Sequence, residues 1–109
     1  MNWIKLESED QLNEIAGAEG NHVILKHNVT CPISKGVLSR LDAEDGPIEG
    51  VDKMYLLDLH AFRSVSDAVA SKFGVPHESP QILLINNGQC AYHEWGYDIS
   101  ADAVKEAVA

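Results

Sequence analysis

Lys26-His27-Asn28-Val29-Thr30-Cys31-Pro32-Ile33-Ser34-Lys35 is the stretch on which the fold turns. Just before it, Val23-Ile24-Leu25 is a short apolar run with β-branched residues, which reads as a strand buried on both faces. Just after it, Ile33, Val37, Leu38 and Leu41 recur at helical spacing. Cys31 therefore falls where a strand ends and a helix begins. Pro32 suits a first helical turn, because its missing N–H would be unpaired there anyway. A thiolate at that place faces unpaired backbone N–H groups and the positive end of the helix dipole. Both favour the charged form, and the thiolate is the nucleophile of thiol–disulfide exchange. The stretch predicts a reactive thiol at Cys31.

Outward from it the other elements follow. Toward the N-terminus, Ser8-x-x-Gln11 is a capping-box pattern. Leu12, Ile15 and Ala16 follow at helical spacing, with Gly17 or Gly20 as the stop. Beyond the second helix, Asp42 to Gly50 is an acidic loop containing glycine and proline, and Met54 to Leu59 is another apolar strand. Ser64-x-x-Asp67 opens a third helix with Val65, Ala68, Val69 and Phe73 on one face, and Gly74 and Pro76 end it. Ser79-Pro80 precedes the strand Gln81 to Ile85, and Asn87-Gly88 is a hairpin signal. Residues 89 to 95 form the return strand, and Ser100 caps a last helix with Ala103, Val104 and Ala107. The order is helix, strand, helix, strand, helix, hairpin, helix. Strand–helix–strand implies parallel strands with a right-handed crossover, and the hairpin adds antiparallel ones. The expected fold is α/β, a central mixed sheet of about four strands with helices on both faces.

At 109 residues and 45% hydrophobic the chain has the size and composition of one domain, residues 1–109. The formal net charge of −9 argues against nucleic acid, whose phosphates need basic surface, and against anionic membranes. Its plain reading is solubility. No segment approaches the ~20 apolar residues of a membrane span. Met1 to Leu12 lacks the apolar region of a secretory signal, so a cytoplasmic location is expected. Two cysteines, Cys31 and Cys90, are too few for a disulfide scaffold. The five histidines form no zinc-binding spacing, and no metal ligand is assigned. Nucleotide-binding glycine motifs are absent as well.

Cys31-Pro32-Ile33-Ser34 resembles a Cys-x-x-Ser variant of the thioredoxin-fold active site, and Ser79-Pro80 before a strand resembles that fold's cis-proline loop. His27 to Ser34 and His77-Glu78-Ser79-Pro80-Gln81 together resemble the monothiol bacilliredoxins of the YtxJ type. Trp95-Gly96, before the last helix, is more like ordinary thioredoxins. The resemblance implies a thioredoxin-like fold with a cis Ser79–Pro80 bond. It also implies a thiol–disulfide oxidoreductase that removes the low-molecular-weight thiol bacillithiol from protein cysteines. Cys31 would be catalytic, and Thr30, Pro32, Ser34, Ser79 and Pro80 would bind substrate. No cofactor would be bound. Bacillithiol would be the co-substrate, and bacillithiolated client proteins the partners.

Ser34 stands where dithiol enzymes carry a resolving cysteine, and a hydroxyl cannot form a disulfide. It either donates a hydrogen bond to the thiolate or is a helix residue facing solvent. Cys90 reads as a buried structural thiol, with a distant resolving role as the rival. Lys26 and Lys35 flank the motif as ordinary surface lysines or as attractors of an anionic substrate. His27 lies four residues before Cys31 and either approaches the thiolate or is a solvated or core histidine. The alternatives are a thioredoxin-like reductase with a different thiol or protein donor, an iron–sulfur-binding module and a redox-silent module. Monothiol glutaredoxins bind a cluster through Cys-Gly-Phe-Ser, and Pro32 replaces that glycine here.

Overall fold

A computed structural model describes residues 1–108. A five-stranded mixed sheet runs through its middle in the order β1-β3-β2-β4-β5. The strands are β1 (Trp3–Lys5), β2 (Asn21–His27), β3 (Lys53–Asp58), β4 (Gln81–Asn86) and β5 (Gln89–Trp95). β2 pairs in parallel with β3 and antiparallel with β4, and the β4–β5 hairpin closes one edge. β1 forms the other edge, parallel to β3.

The helices are α1 (Glu9–Gly17), α2 (Pro32–Asp42), α3 (Arg63–Phe73) and α4 (Ala101–Val108). Alternation along β2 explains the unbroken apolar run. Ile24 faces a core shared with Leu12 and Ile15 of α1 and Val65 and Val69 of α3. Val23 and Leu25 face the opposite core, with Val37 and Leu41 of α2 and Val104 of α4. A central strand covered on both faces has no polar side to show.

Local chemistry sets the ends. Ser8 caps α1 in a reciprocal box with Gln11. Asn87 and Gly88 both take positive φ, as a tight hairpin turn requires. A Cβ on Gly88 would run into the Ala16 carbonyl oxygen, so this turn also needs glycine to dock on α1. Ser100 Oγ accepts the Ala103 amide at 3.1 Å ahead of α4.

The mixed sheet expected at about four strands is present, with the short edge strand β1 as its fifth. One expectation needs correction. Ser64 does not cap α3, which starts at Arg63 with Phe62 at the cap and no side-chain cap bond. The Asp58 carboxylate shapes the turn before it, accepting the His60 and Ala61 amides at 3.2 Å each. Among the described residues, no helix is long and apolar enough to cross a membrane.

Candidate active site

The C-terminal end of β2 delivers the chain to a three-residue loop and then to α2. Cys31 is the cap residue of that helix, with extended backbone (φ −95°, ψ 121°) and Pro32 behind it. The Cys31 amide donates to Asn28 O at 3.1 Å, and Lys35 N–H donates to Cys31 O at 3.0 Å. The cap position offers no side-chain hydrogen bond to the helix. The amides of Ile33 and Ser34 therefore have no partner in the helical ladder, beside the half-exposed thiol.

Asn28 organises the loop. Its Oδ1 accepts the Thr30 amide at 3.0 Å and the Thr30 hydroxyl at 2.8 Å, an Asx turn. His60 Nε2 lies 3.0 Å from the same oxygen. Thr30 and Pro32 are exposed on either side of Cys31. Ser34 is neither solvent-facing nor engaged with the sulfur. It is 1% exposed. Its Oγ accepts the Asn28 amide at 2.9 Å and lies 2.7 Å from His27 Nδ1. Burial is the main force holding His27 below the ordinary histidine value. The Lys35 charge pushes the same way, and Asp58 opposes. With its proton on Nε2, the neutral ring takes the Ser34 O–H at Nδ1, which gives this buried hydroxyl donor an acceptor while its oxygen accepts the Asn28 amide. His27, Ser34 and Asn28 thus brace the loop from beneath.

Ser79–Pro80 is a cis peptide bond. The register Lys26↔Gln81↔Trp95 puts this loop at the same end of the sheet as His27 and the Cys31 loop. Pro80 is buried and Ser79 half-buried. Pro80 O accepts the Gly96 amide at 3.0 Å, which joins the loop to Trp95-Gly96. Exposed Val29, Trp95 and Tyr97 belong to the segments at this end.

Lys26 is not a surface lysine. Its side chain is 0% exposed, since it sits in the central strand on the face covered by α3. Its Nζ lies 3.2 Å from His77 Nδ1. Burial lowers its pKa to about 8. Asp67 partly offsets that, and Arg63 adds to it. The sequence holds only a weak signal for the burial, the strand alternation that puts residue 26 on the same face as Ile24, since the apolar run ends at Leu25. It holds none for the pairing with His77, 51 residues away. Lys35 is exposed, as a surface lysine would be.

Cys90 lies far from this end. It pairs with Ile85, which pairs with His22 at the start of β2. Four strand residues from His22 to Lys26 span about 13 Å, and a disulfide needs Cα atoms within about 7 Å. Cys90 Sγ donates to Tyr92 O at 3.4 Å, and burial pushes its thiol pKa up.

Residues 4–104 match the family described as monothiol bacilliredoxin BrxC. A solved structure described as a candidate oxidoreductase with a thioredoxin fold is 31% identical, with a TM-score of 0.82. The match covers 97% of this chain and 93% of that one. Thioredoxin from Trypanosoma brucei brucei superposes with a TM-score of 0.78 at 13% identity, over 98% of this chain and 88% of that one. Mitochondrial thioredoxin from Saccharomyces cerevisiae gives 0.74 at 14% identity, over 97% and 92%. At such identities the thioredoxins speak for the fold alone.

Proposed function

The chain belongs to the monothiol bacilliredoxin family of thioredoxin-like thiol–disulfide oxidoreductases, and from that premise we propose that Cys31 removes bacillithiol from modified cysteines of other proteins. One observation carries the monothiol part of this reading. Cys31 is half-exposed at the start of α2, while the residue one helical turn on is a buried serine whose hydroxyl is already bonded to His27 and Asn28.

The chemistry balances with one thiol on the enzyme. The Cys31 thiolate attacks the bacillithiol sulfur of a protein–S–S–bacillithiol adduct. The S–S bond breaks, the client leaves as a thiolate, and Cys31 carries bacillithiol as a mixed disulfide. A second bacillithiol thiolate displaces Cys31 and leaves as half of a bacillithiol disulfide. The oxidised small thiol is reduced elsewhere. Site residues divide by role in this proposal. Thr30, Pro32, Ser79 and the backbone at Pro80 are assigned to substrate binding at the Cys31 end of the sheet, and Ser34 supports the loop from below.

Bacillithiol carries a malate group with two carboxylates. An acidic protein repels it at long range, although screening limits this beyond ~8 Å at physiological salt. Recognition then rests on local donors. The Ile33 and Ser34 amides are one set, and exposed Lys35 is another. Lys26, buried against His77, is withdrawn from that role. A recess whose lining includes Lys5, Glu7, His27, Val29, Asp58 and Phe62 adjoins the loop at Val29.

A second reading has a specific observation behind it. Gly96 bonds Pro80, and Trp95 stands 55% exposed beside it, an arrangement suited to a protein surface as donor or client. That reading keeps Cys31 and changes the reductant. The test charges one carrier protein with bacillithiol and with glutathione and compares release by this protein plus each free thiol. Faster release of the bacillithiol adduct supports the first reading. Faster release of the glutathione adduct overturns it, and release driven best by a protein reductant favours the second.

A further inference from the structure

A lysine with no exposed surface is rare, because an ammonium loses its hydration on burial unless partners replace it. Lys26 enters the interior from β2 on the α3 side, and its Nζ meets His77. His77 itself is exposed, so the buried lysine finds its partner at the surface. Arg63 and Asp67, paired on the surface of α3 at 3.7 Å, act on Lys26 through space.

What the pair joins matters more than its charge. Lys26 is five residues before Cys31, on the strand that leads into the Cys31 loop. His77 lies in the segment that carries the cis Ser79–Pro80 bond. Three bonds hold that segment. Gln81 Nε2 donates to Pro76 O at 3.1 Å, Gly96 N–H donates to Pro80 O at 3.0 Å, and Lys26 Nζ bonds His77 at 3.2 Å. The β2–β4 ladder ties the segment's end at Gln81, and of these three bonds only the Lys26 bond reaches the part ahead of Pro80 from β2. Ser79 Oγ and Gln81 Oε1 are buried there without a protein partner, so the segment's own polar groups do not secure it fully.

We propose that the Lys26–His77 hydrogen bond is a latch that positions the Ser79–Pro80 loop against the strand bearing Cys31, and so sets how well a disulfide substrate is captured without setting the reactivity of the thiol. Both are positioning residues. Substrate on the Pro80 side of Cys31 meets a loop tied to β2 at Gln81 by the sheet ladder and at His77 by the latch. A small alkylating reagent needs the sulfur alone. In kinetic terms this part of the inference rests on the thiol–disulfide exchange reading above.

The test uses the full chain with Lys26→Met, which keeps the volume without the charge, His77→Ala, and His77→Asn, which returns an acceptor near the Nδ1 position. For each, three quantities are read: Cys31 alkylation by iodoacetamide, KM and kcat with a peptide carrying a bacillithiol or glutathione mixed disulfide, and amide exchange of residues 77–82. The expected result is alkylation within about twofold of wild type, KM raised roughly fivefold or more with a smaller change in kcat, and faster amide exchange in Lys26→Met and His77→Ala. His77→Asn should recover most of the KM. Equal KM across the set, or alkylation falling in step with exchange, would overturn the latch. If wild type exchanges with neither mixed disulfide, the functional reading fails. The latch is then judged by amide exchange alone, and unchanged exchange in Lys26→Met and His77→Ala overturns it.

Discussion

The two ends of the sheet each hold one cysteine, and they differ in nearly everything that governs a thiol. Cys31 stands at the start of a helix, half-exposed, on a loop braced by Asn28, Ser34 and His27. Cys90 lies in β5 with its sulfur against Tyr92 O, packed on the core that α1 and α3 share. Burial raises the cost of ionising Cys90. On the function proposed above, the same side chain is a nucleophile at one end and a small hydrophobe at the other, and the surrounding backbone decides which.

The comparison breaks most sharply under substitution. Cys31→Ser should lower mixed-disulfide exchange on the order of 10³-fold or more, because no second sulfur is in reach to take over. Cys90→Ser should retain exchange within about twofold. The measurement is release of a labelled small thiol from a carrier protein. A Cys90→Ser loss comparable to that of Cys31→Ser would make the far end part of the chemistry. Direct labelling sharpens the same contrast. In the native protein, iodoacetamide should modify Cys31 about tenfold or more faster than Cys90, and in strong denaturant the two rates should converge. Equal native rates, read by peptide mass, would end the distinction.

The active end also separates what a sequence shows from what it hides. Strand end, Cys31-Pro32 and helix are legible because each is a local preference: an apolar run, a proline at a first turn and a 3.6-residue stripe. The cis bond at Pro80 is legible only through likeness to a fold, since its occurrence depends on the tertiary setting. Ser34 is open between two roles in the sequence and takes a third, because its partners, His27 and the Asn28 amide, are fixed only once the loop closes. Lys26 misleads for a related reason. Charge suggests surface, while its position in β2, among residues buried from His22 to His27, requires burial. β1 escapes a reading of the sequence because three mostly exposed residues carry no burial pattern. It exists through its ladder with β3 and the Leu6 amide bond to Leu56 O at 2.9 Å. Ser64 has the capping residue type, but the turn made by Asp58 starts the helix earlier.

A third substitution tests the bracing of the active end. Ser34→Ala leaves the buried Asn28 amide and His27 Nδ1 without their partner, which costs about 1–3 kcal/mol. Denaturant unfolding should show that loss with an unchanged slope. The Cys90→Ser substitution removes only a weak sulfur bond and should cost less. A Ser34→Ala protein as stable as wild type would mean that the network does not brace the loop.

The smallest effect is a change of slope with pH, and its sign is fixed by Lys26. Its pKa is about 8 in the folded chain against an ordinary 10.5. Between those values the unfolded chain holds a proton on this lysine that the folded chain has released. Stability from this group therefore rises with pH across that window. At neutral pH both states are protonated, and burial of the charge counts against folding. Lys26→Met removes the titrating group, so its stability should lack this rise. Tyr55 and Tyr92, whose pKa values burial raises, lower stability as pH climbs past about 10, but they do so in both proteins and cancel in the difference. The quantity to follow is wild-type minus Lys26→Met unfolding free energy from urea titrations at pH steps from about 7 to 10. It should grow steadily more favourable to wild type above about 8. A flat difference would mean that Lys26 titrates like a solvated lysine. A falling one would mean that the folded protein holds the proton more tightly than the unfolded chain does, with Asp67 outweighing burial.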